Sequence, residues 1–185
     1  MATQNIDFDN ITYLQSGNFR QQQAYTTLKN NQILLKLQDY NPILVGTIPI
    51  NIDIENSDLD IICFTKNKEE FKKLILANFS NEKNFTIRER VISGNLAIIA
   101  NFIIDEFEIE IFGQNIPVKQ QFGYRHMLIE DQLLKEHGEQ FRQKIIALKQ
   151  QGHKTEPAFG IALGLTGNPY LELLRFEKNN NKSNL

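Results

Sequence analysis

Two aspartates alternate with apolar residues in one short run, and this pattern constrains the fold of the 185-residue chain more than any other feature. The run reads Ser57-Asp58-Leu59-Asp60-Ile61. Alternate side chains of a β-strand leave the same face, so we expect the two carboxylates to lie side by side. Two negative charges at such a short distance raise each other's pKa, and folding alone gains nothing from this arrangement. The pattern therefore predicts a strand that offers two carboxylates to a divalent cation, which prefers oxygen ligands.

A later run offers a third carboxylate for the same site. Residues Phe107–Phe112 alternate between apolar side chains and the two glutamates Glu108 and Glu110. Both glutamates would share one strand face, which for either one alone could simply be a solvated edge. Glu110 is the preferred candidate because it lies nearer the end of the strand, beside the turn expected at Gly113.

Composition excludes several classes of function. Hydrophobic residues make up 41% of the chain, enough for a sizeable core, and the formal net charge is −2 with a pI near 5.9. This balance argues against attraction to long nucleic acid. Cys63, the single cysteine, lies in an apolar run and is expected to be a buried structural thiol. No apolar run approaches the roughly 18 residues of a transmembrane helix, and no signal peptide is recognisable, so we expect a cytoplasmic protein with no membrane partner.

Hydrophobic periodicity predicts an ordered series of helices and strands. The pattern favours a helix, two strands, a second helix, an antiparallel meander of three strands, and then four helices. The predicted bounds are, in chain order, Asn18–Tyr40, Ile43–Val45, Leu59–Phe64, Lys68–Phe79, Phe85–Ile92, Leu96–Ile104, Phe107–Phe112, Gln120–His137, Glu139–Gln150, Pro157–Leu165 and Pro169–Phe176.

This order predicts an α/β (α+β) fold built on a mixed sheet with flanking helices and a helical C-terminal region. We expect residues 1–116 to form the α/β core and residues 117–177 to form a helical region packed on it. Residues 178–185 are rich in Asn and Lys, and this composition predicts a disordered tail.

The motifs together resemble those of a known superfamily. Gly46-Thr47, the run from Ser57 to Ile61 and a later strand carboxylate resemble the signature of the DNA polymerase beta-type nucleotidyltransferases. The longer string, with GTIPI, SDLDII, IEIFGQ, YRHM and KTEPAF, resembles a small bacterial family assigned to that superfamily as a domain of unknown function. The superfamily motif spans residues 43–112, and the resemblance to the smaller family spans nearly the whole chain.

The resemblance implies a metal site and a reaction. Asp58, Asp60 and Glu110, or alternatively Glu108, would hold Mg²⁺ or Mn²⁺. Glu110 would also take a proton from an attacking hydroxyl. The protein would then move a nucleotidyl group from a nucleoside triphosphate to an acceptor, a reaction that needs charge neutralisation and positioning more than a covalent catalyst. The acceptor could be a small molecule, a protein side chain or an RNA end.

The resemblance also implies where the nucleotide is bound. Gly46, Thr47 and Ser57 would present backbone N–H groups and hydroxyls to the triphosphate. Arg125, in YRHM, and Lys154, beside a helix that Thr155 would cap, are the basic candidates for further phosphate contacts. For both basic residues, an ion-paired or solvated surface position is the alternative interpretation.

A second interpretation keeps the fold without the reaction. The segment Ile48–Ile52 is apolar and contains Pro49, whereas superfamily members carry a short helix with polar or basic residues there. This departure favours a non-catalytic module that binds nucleotide or another protein. The complete set of three carboxylates favours the enzyme.

Overall fold

A computed structural model of the chain describes residues 6–92 and 94–180. It contains five strands and six α-helices in those ranges, besides short 3₁₀ turns. In chain order they are α1 Phe19–Asn30, α2 Ile33–Lys36, β1 Ile43–Val45, β2 Leu59–Phe64, α3 Lys68–Phe79, β3 Lys83–Ile92, β4 Asn95–Ile104, β5 Phe107–Gln114, α4 Phe122–Gln150, α5 Thr155–Leu163 and α6 Pro169–Asn180.

The five strands form one mixed sheet in the order β1-β2-β5-β4-β3. Strands β3, β4 and β5 form the antiparallel meander that the turn signals predict, and β1 is antiparallel to β2. Strand β2 is parallel to β5, with Asp60 opposite Glu110. The parallel pair brings the two acidic strands together although about 50 residues separate them in the chain.

The two faces of the sheet pack against different hydrophobic cores. Because side chains alternate along β2, successive residues of this strand face opposite cores. Leu59, Ile61 and Cys63 belong to a core that includes residues of α1, α2 and α3. Ile62 belongs to the opposite core, formed with residues of α4, α5 and α6. Asp60 shares the parity of Ile62, and therefore faces the C-terminal helices. The buried position expected for Cys63 is confirmed.

The predicted helix over Asn18–Tyr40 is wrong in its continuity. Asn18 and Gln21 form a capping box that starts α1 one residue later. Gln32 adopts a left-handed backbone conformation with φ of 55°, which a helix cannot continue through, so α2 is a separate short turn of helix. The side-chain periodicity predicted the buried face and missed this backbone break.

The C-terminal helices also differ in their ends from the predicted ones. Helix α4 runs from Phe122 to Gln150, and a non-helical residue, Gly138 with φ of 77°, divides it where the two predicted helices are separated. Helix α5 begins at Thr155, and its N-cap is Lys154 rather than Thr155. Helix α6 extends to Asn180, three residues into the predicted tail, and residues 181–185 lie outside the described ranges.

Candidate active site

A cavity of about 630 Å³ lies between the helices α4 and α5 and the face of the sheet that bears Asp60. Asp58, Asp60 and Glu110 all line it. Glu108 does not line it and is solvent-exposed, although it belongs to the same strand as Glu110. The structure therefore brings three of the four candidate carboxylates to one cavity.

The pKa of Asp60 is strongly perturbed. Burial raises its pKa well above the ordinary value, and the neighbouring Asp58, Glu110 and Glu156 raise it further. Only Lys149 acts in the opposite direction. The mutual repulsion expected from the Asp-x-Asp pattern is therefore present, and a bound cation would cancel it.

Gly46 provides the space that Asp60 occupies. The glycine follows β1 and has φ of 87°, a conformation that other residues adopt only with strain. A Cβ atom at this position would lie 2.5 Å from Asp60 Oδ2, well inside van der Waals contact. Val45, the preceding residue, pairs with Asp60 across the sheet, so this close approach follows from strand register.

The hydroxyls of Thr47 and Ser57 line the cavity and are bonded to each other. Thr47 Oγ1 donates to Ser57 Oγ at 3.2 Å, and Ser57 Oγ also accepts from the Ile54 N–H at 2.9 Å. These bonds fasten the loop that leads into β2. Thr47 and Ser57, which are both predicted to contact the triphosphate, thus line the same cavity as Asp60, and their hydroxyls are bonded to each other.

The apolar loop after Thr47 is part of the core. Ile48, Ile50 and Ile52 are buried, with 0–3% of their surface exposed. Side chains of Gln21, Arg142 and Lys149 donate to the carbonyl oxygens of the buried loop, which satisfies backbone acceptors that would otherwise be costly to bury. The Pro-containing segment is therefore a packed support for Gly46 and Thr47, not an open polar helix.

Glu110 already has hydrogen-bonding partners in the sheet. Asn101 Nδ2 donates to Glu110 Oε2 at 3.2 Å, and Arg88 Nη2 lies 3.4 Å from the same oxygen. Arg88 also donates to Asn101 Oδ1. Almost half of the Arg88 side chain is exposed, so this ion pair is weak and a ligand could replace it at little cost.

The basic candidates on the helical side differ in their partners. Arg125 makes a two-pronged ion pair with Glu177 of α6, with the shortest contact at 2.5 Å from Nη2 to Oε2. Lys154 lines the cavity and is exposed. His126 is buried next to Arg125, with Nε2 2.9 Å from the carbonyl oxygen of Tyr170. Arg125 therefore has its charge neutralised in this state, which fits the alternative that the sequence left open.

Three charged residues of the cavity were missed by the sequence analysis: Glu130 and Lys149 on α4, and Glu156 on α5. Burial raises the pKa of Glu130 to about 8, with a further rise from Glu156. Burial lowers the pKa of Lys149 to about 8, against the opposing effect of Glu130 and of three aspartates. A signal was present: Glu130 follows Met127 by three residues on the buried stripe of the helix, where an apolar residue is expected.

The oxygen ligands of this cavity suit a hard divalent cation, and the repulsion at Asp60 has the sign that such a cation would relieve. In the described ranges, no group of three or more His, Cys, Asp or Glu side chains is close enough to hold a metal ion. In this arrangement Arg88 and Asn101 both bond to the carboxylate of Glu110.

None of the helices in residues 6–92 and 94–180 combines the length and the apolar character needed to cross a membrane.

Comparisons with known proteins agree with this architecture. A family model described as Domain of unknown function (DUF4269) matches residues 26–176. No curated protein matches the chain.

Solved structures of nucleotidyltransferases share the fold. The Cid1 poly(U) polymerase with MgGTP bound superposes with a TM-score of 0.54 at 13% identity, covering 77% of this chain and 48% of that chain. Another Cid1 structure gives 0.52 at 12% identity, covering 86% and 54%. A cytoplasmic RNA terminal U-transferase gives 0.51 at 12% identity, covering 79% and 46%. The chain thus spans about half the length of these proteins, and the likeness shows the predicted nucleotidyltransferase-like mixed sheet.

Proposed function

Because this chain belongs to the family Domain of unknown function (DUF4269), whose description names no reaction, we propose a function from the geometry of its cavity. We propose a nucleotidyltransferase that moves a nucleotidyl group from a nucleoside triphosphate to a hydroxyl acceptor. One observation carries the proposal: Asp60 and Glu110 are paired on one sheet face and, with Asp58, line a cavity of about 630 Å³. A cavity of several hundred Å³ is the usual size for a small-molecule ligand.

Asp58, Asp60 and Glu110 would hold Mg²⁺ or Mn²⁺, which when bound supplies charge neutralisation at the phosphates. Glu110 would accept the proton of the acceptor hydroxyl. The hydroxyl oxygen forms a bond to the α-phosphorus while the bond from that phosphorus to the pyrophosphate oxygen breaks. Lys149, which lines the same cavity, would balance part of the negative charge of the bound phosphates.

The remaining candidates would orient the triphosphate. Gly46 and Thr47 would offer backbone N–H groups beside Asp60. Lys154, exposed at the N-terminus of α5, has no side-chain bond to the helix that it caps and is placed at an anion-attracting helix end. Arg125 would contribute only after it releases Glu177, and Ser57 mainly holds the loop through Ile54.

A second candidate is a module that binds nucleotide, or another protein, without catalysis. Specific observations favour it: the hydroxyls of Thr47 and Ser57 bond to each other, Glu110 is held by Arg88, and the loop before β2 is packed as core. In this alternative the cavity binds its ligand, and the carboxylates of Asp58, Asp60 and Glu110 do not bind a metal ion.

The identity of the acceptor is part of the same proposal. The neighbours named above are a poly(U) polymerase and an RNA terminal transferase. The net charge of −2 favours a small molecule, a protein side chain or a short RNA end over long nucleic acid. A cytoplasmic location, a bacterial family and the division into a core at 1–116 and a helical region at 117–177 remain proposals.

The test is transfer of label from α-³²P ribonucleoside triphosphates, each tried with Mg²⁺ and with Mn²⁺, to components of a cell extract. Three variants accompany the wild type: Asp60→Ala, Glu110→Gln and the matched control Glu108→Gln. Loss of a metal-binding carboxylate is expected to cost about 3 kcal/mol of transition-state stabilisation, or about a hundredfold in rate. Glu108→Gln should retain activity because Glu108 is exposed outside the cavity.

Equal labelling by wild type and Asp60→Ala would identify a contaminating enzyme and contradict the proposal. Loss of activity in Glu108→Gln with activity kept in Glu110→Gln would reassign the third carboxylate. Nucleotide-dependent stabilisation of the wild type without any label transfer would favour the non-catalytic module, because a ligand that binds only the folded state raises its melting temperature.

A further inference from the structure

Glu130 is a buried acidic residue for which the proposed chemistry has no use. It lies on the first half of α4, is 4% exposed, and lines the cavity. Its Oε1 atom is buried and has no hydrogen-bond partner in the described part of the chain. Leaving a buried polar atom unpaired is unfavourable by about 1–3 kcal/mol, so such a group calls for an explanation.

The neighbours of Glu130 do not supply the missing partner. Lys149 influences Glu130 through its charge, but its Nζ donates to the Ile52 carbonyl oxygen at 2.9 Å and makes no ion pair with Glu130 within 4.0 Å. Glu156 adds a second carboxyl group nearby. The carboxyl group of Glu156 disfavours a phosphate at this point, and Glu130 offers a phosphate no positive charge in return, so any partner from a ligand should be uncharged.

We propose that Glu130 forms a subsite of the cavity that binds an uncharged group able both to donate and to accept a hydrogen bond. The inference rests on the proposed function, which supplies a nucleoside triphosphate as the ligand. Two parts of a nucleotide have this chemistry: a ribose hydroxyl, and a base edge that carries an N–H beside a carbonyl. Phosphates would then lie towards Asp60 and Gly46, and Glu130 would hold the nucleoside.

The state of the carboxyl group supports this chemistry. Burial raises the pKa of Glu130 to about 8, so the group is largely protonated at neutral pH. A protonated carboxyl group offers one O–H donor and one carbonyl acceptor, which is the pattern complementary to a hydroxyl or to an amide-like base edge. A glutamine side chain offers the same pair of functions without a titration, and provides a conservative replacement.

The experiment measures the dissociation constants of the full-length protein for matched ligands in the presence of Mg²⁺. One arm compares the ribonucleoside triphosphate with its 2′-deoxy and 3′-deoxy analogues, and the other arm compares the four bases. Each ligand is measured with wild type, Glu130→Met, Glu130→Gln and the control Glu136→Met, which changes an exposed residue of the same helix.

In one of the two arms, the dissociation constants of the wild type should differ by about tenfold between the ligands compared, which is 1.4 kcal/mol at 25 °C. Glu130→Met should bind all ligands of that arm within twofold, while Glu130→Gln and Glu136→Met keep the discrimination. The arm in which discrimination disappears identifies the partner as the ribose or the base.

Two results would overturn the inference, and they differ from each other. If each analogue weakens binding by the same factor in wild type and in Glu130→Met, the carboxyl group of Glu130 has its hydrogen-bond partner within the protein, for example an internal water. The proposed function then stands. If the wild type binds none of the triphosphates, the proposed function fails and the subsite fails with it.

Discussion

Replacing Glu130 by glutamine should stabilise the protein, and the gain should depend on pH in a defined direction. The ordinary pKa of a glutamate side chain is 4.5, and burial followed by the charge of Glu156 raises that of Glu130 to about 8. Below pH 4.5 the group is protonated in both the folded and the unfolded chain, and nothing is lost. Between pH 4.5 and 8 the unfolded chain releases a proton that the folded chain retains, so stability falls as pH rises.

The magnitude follows from the two pKa values. Each pH unit in this window lowers the free energy of unfolding by about 1.4 kcal/mol through this one group. At pH 7 the accumulated loss is about 3 kcal/mol, a large part of the 5–15 kcal/mol that is typical of a whole domain. Glutamine keeps the shape and hydrogen-bonding groups of the protonated acid and has no proton to release, so the Glu130→Gln variant lacks this loss.

The assay is urea unfolding of wild type and Glu130→Gln at pH 5, 6, 7 and 8, without nucleotide. The difference in the free energy of unfolding should be small at pH 5 and grow to about 3 kcal/mol by pH 7. Measurements end at pH 8 because Lys149, whose pKa burial lowers to about 8, makes stability rise with pH between about 8 and 10.5.

Glu136→Gln serves as the control, since Glu136 is exposed on the same helix and its replacement should give the wild-type pH dependence. Parallel curves for wild type and Glu130→Gln at all four pH values would refute the reasoning. That result would mean that Glu130 titrates alike in the folded and unfolded chains, and so is hydrated in the folded one.

Two further substitutions test the strand side of the cavity. Gly46→Ala should lower the free energy of unfolding by at least about 2 kcal/mol, because alanine combines the strain of φ at 87° with a Cβ atom 2.5 Å from Asp60 Oδ2. Gly164→Ala, with φ of 68° in the left-handed helical region and no atom within 4 Å of the added Cβ, should show only the strain of about 1 kcal/mol; equal losses in the two variants would exclude the clash. Asp60→Asn should leave the metal-free protein as stable as wild type or more stable, because it removes a half-buried carboxylate that its acidic neighbours repel, and should weaken Mg²⁺ binding measured by calorimetry. Unchanged Mg²⁺ affinity would show that Asp60 is not a ligand.

The sequence predicted the parts of this fold that depend on local periodicity. The two strands predicted to contain Asp60 and Glu110 are present in the structure. The alternation of side chains along each strand determines which of them share a face. The mixed sheet and the helical C-terminal region are likewise confirmed. The break at Gln32 was not predictable in this way, because hydrophobic spacing continues across it while the backbone turns left-handed.

The sequence carried a signal for Glu130 alone, and the rest of the helical wall of the cavity could not be predicted for a different reason. Glu130 and Lys149 are about five turns of helix apart and on opposite sides of the break at Gly138, so no fixed spacing in the sequence relates them. Burial under tertiary packing raises the pKa of Glu130 and lowers that of Lys149. Residues of other segments modify both pKa values, since Glu156 adds to the rise at Glu130 and Asp53 opposes the fall at Lys149. Sequence patterns report faces of single elements, whereas this site depends on which faces meet.

Gly46 meets two requirements that the sequence alone does not separate: one for binding a triphosphate and one for packing against Asp60. The resemblance implies that the glycine brings backbone N–H groups to a triphosphate. The structure gives it an independent role, since only the absent Cβ lets the Asp60 carboxylate lie against the turn after β1. A chain that lost phosphate binding but kept Asp60 in this position would still need the glycine. Its presence is therefore stronger support for the position of the carboxylate than for the ligand, and the two roles require separate experiments on Asp60 and on nucleotide binding.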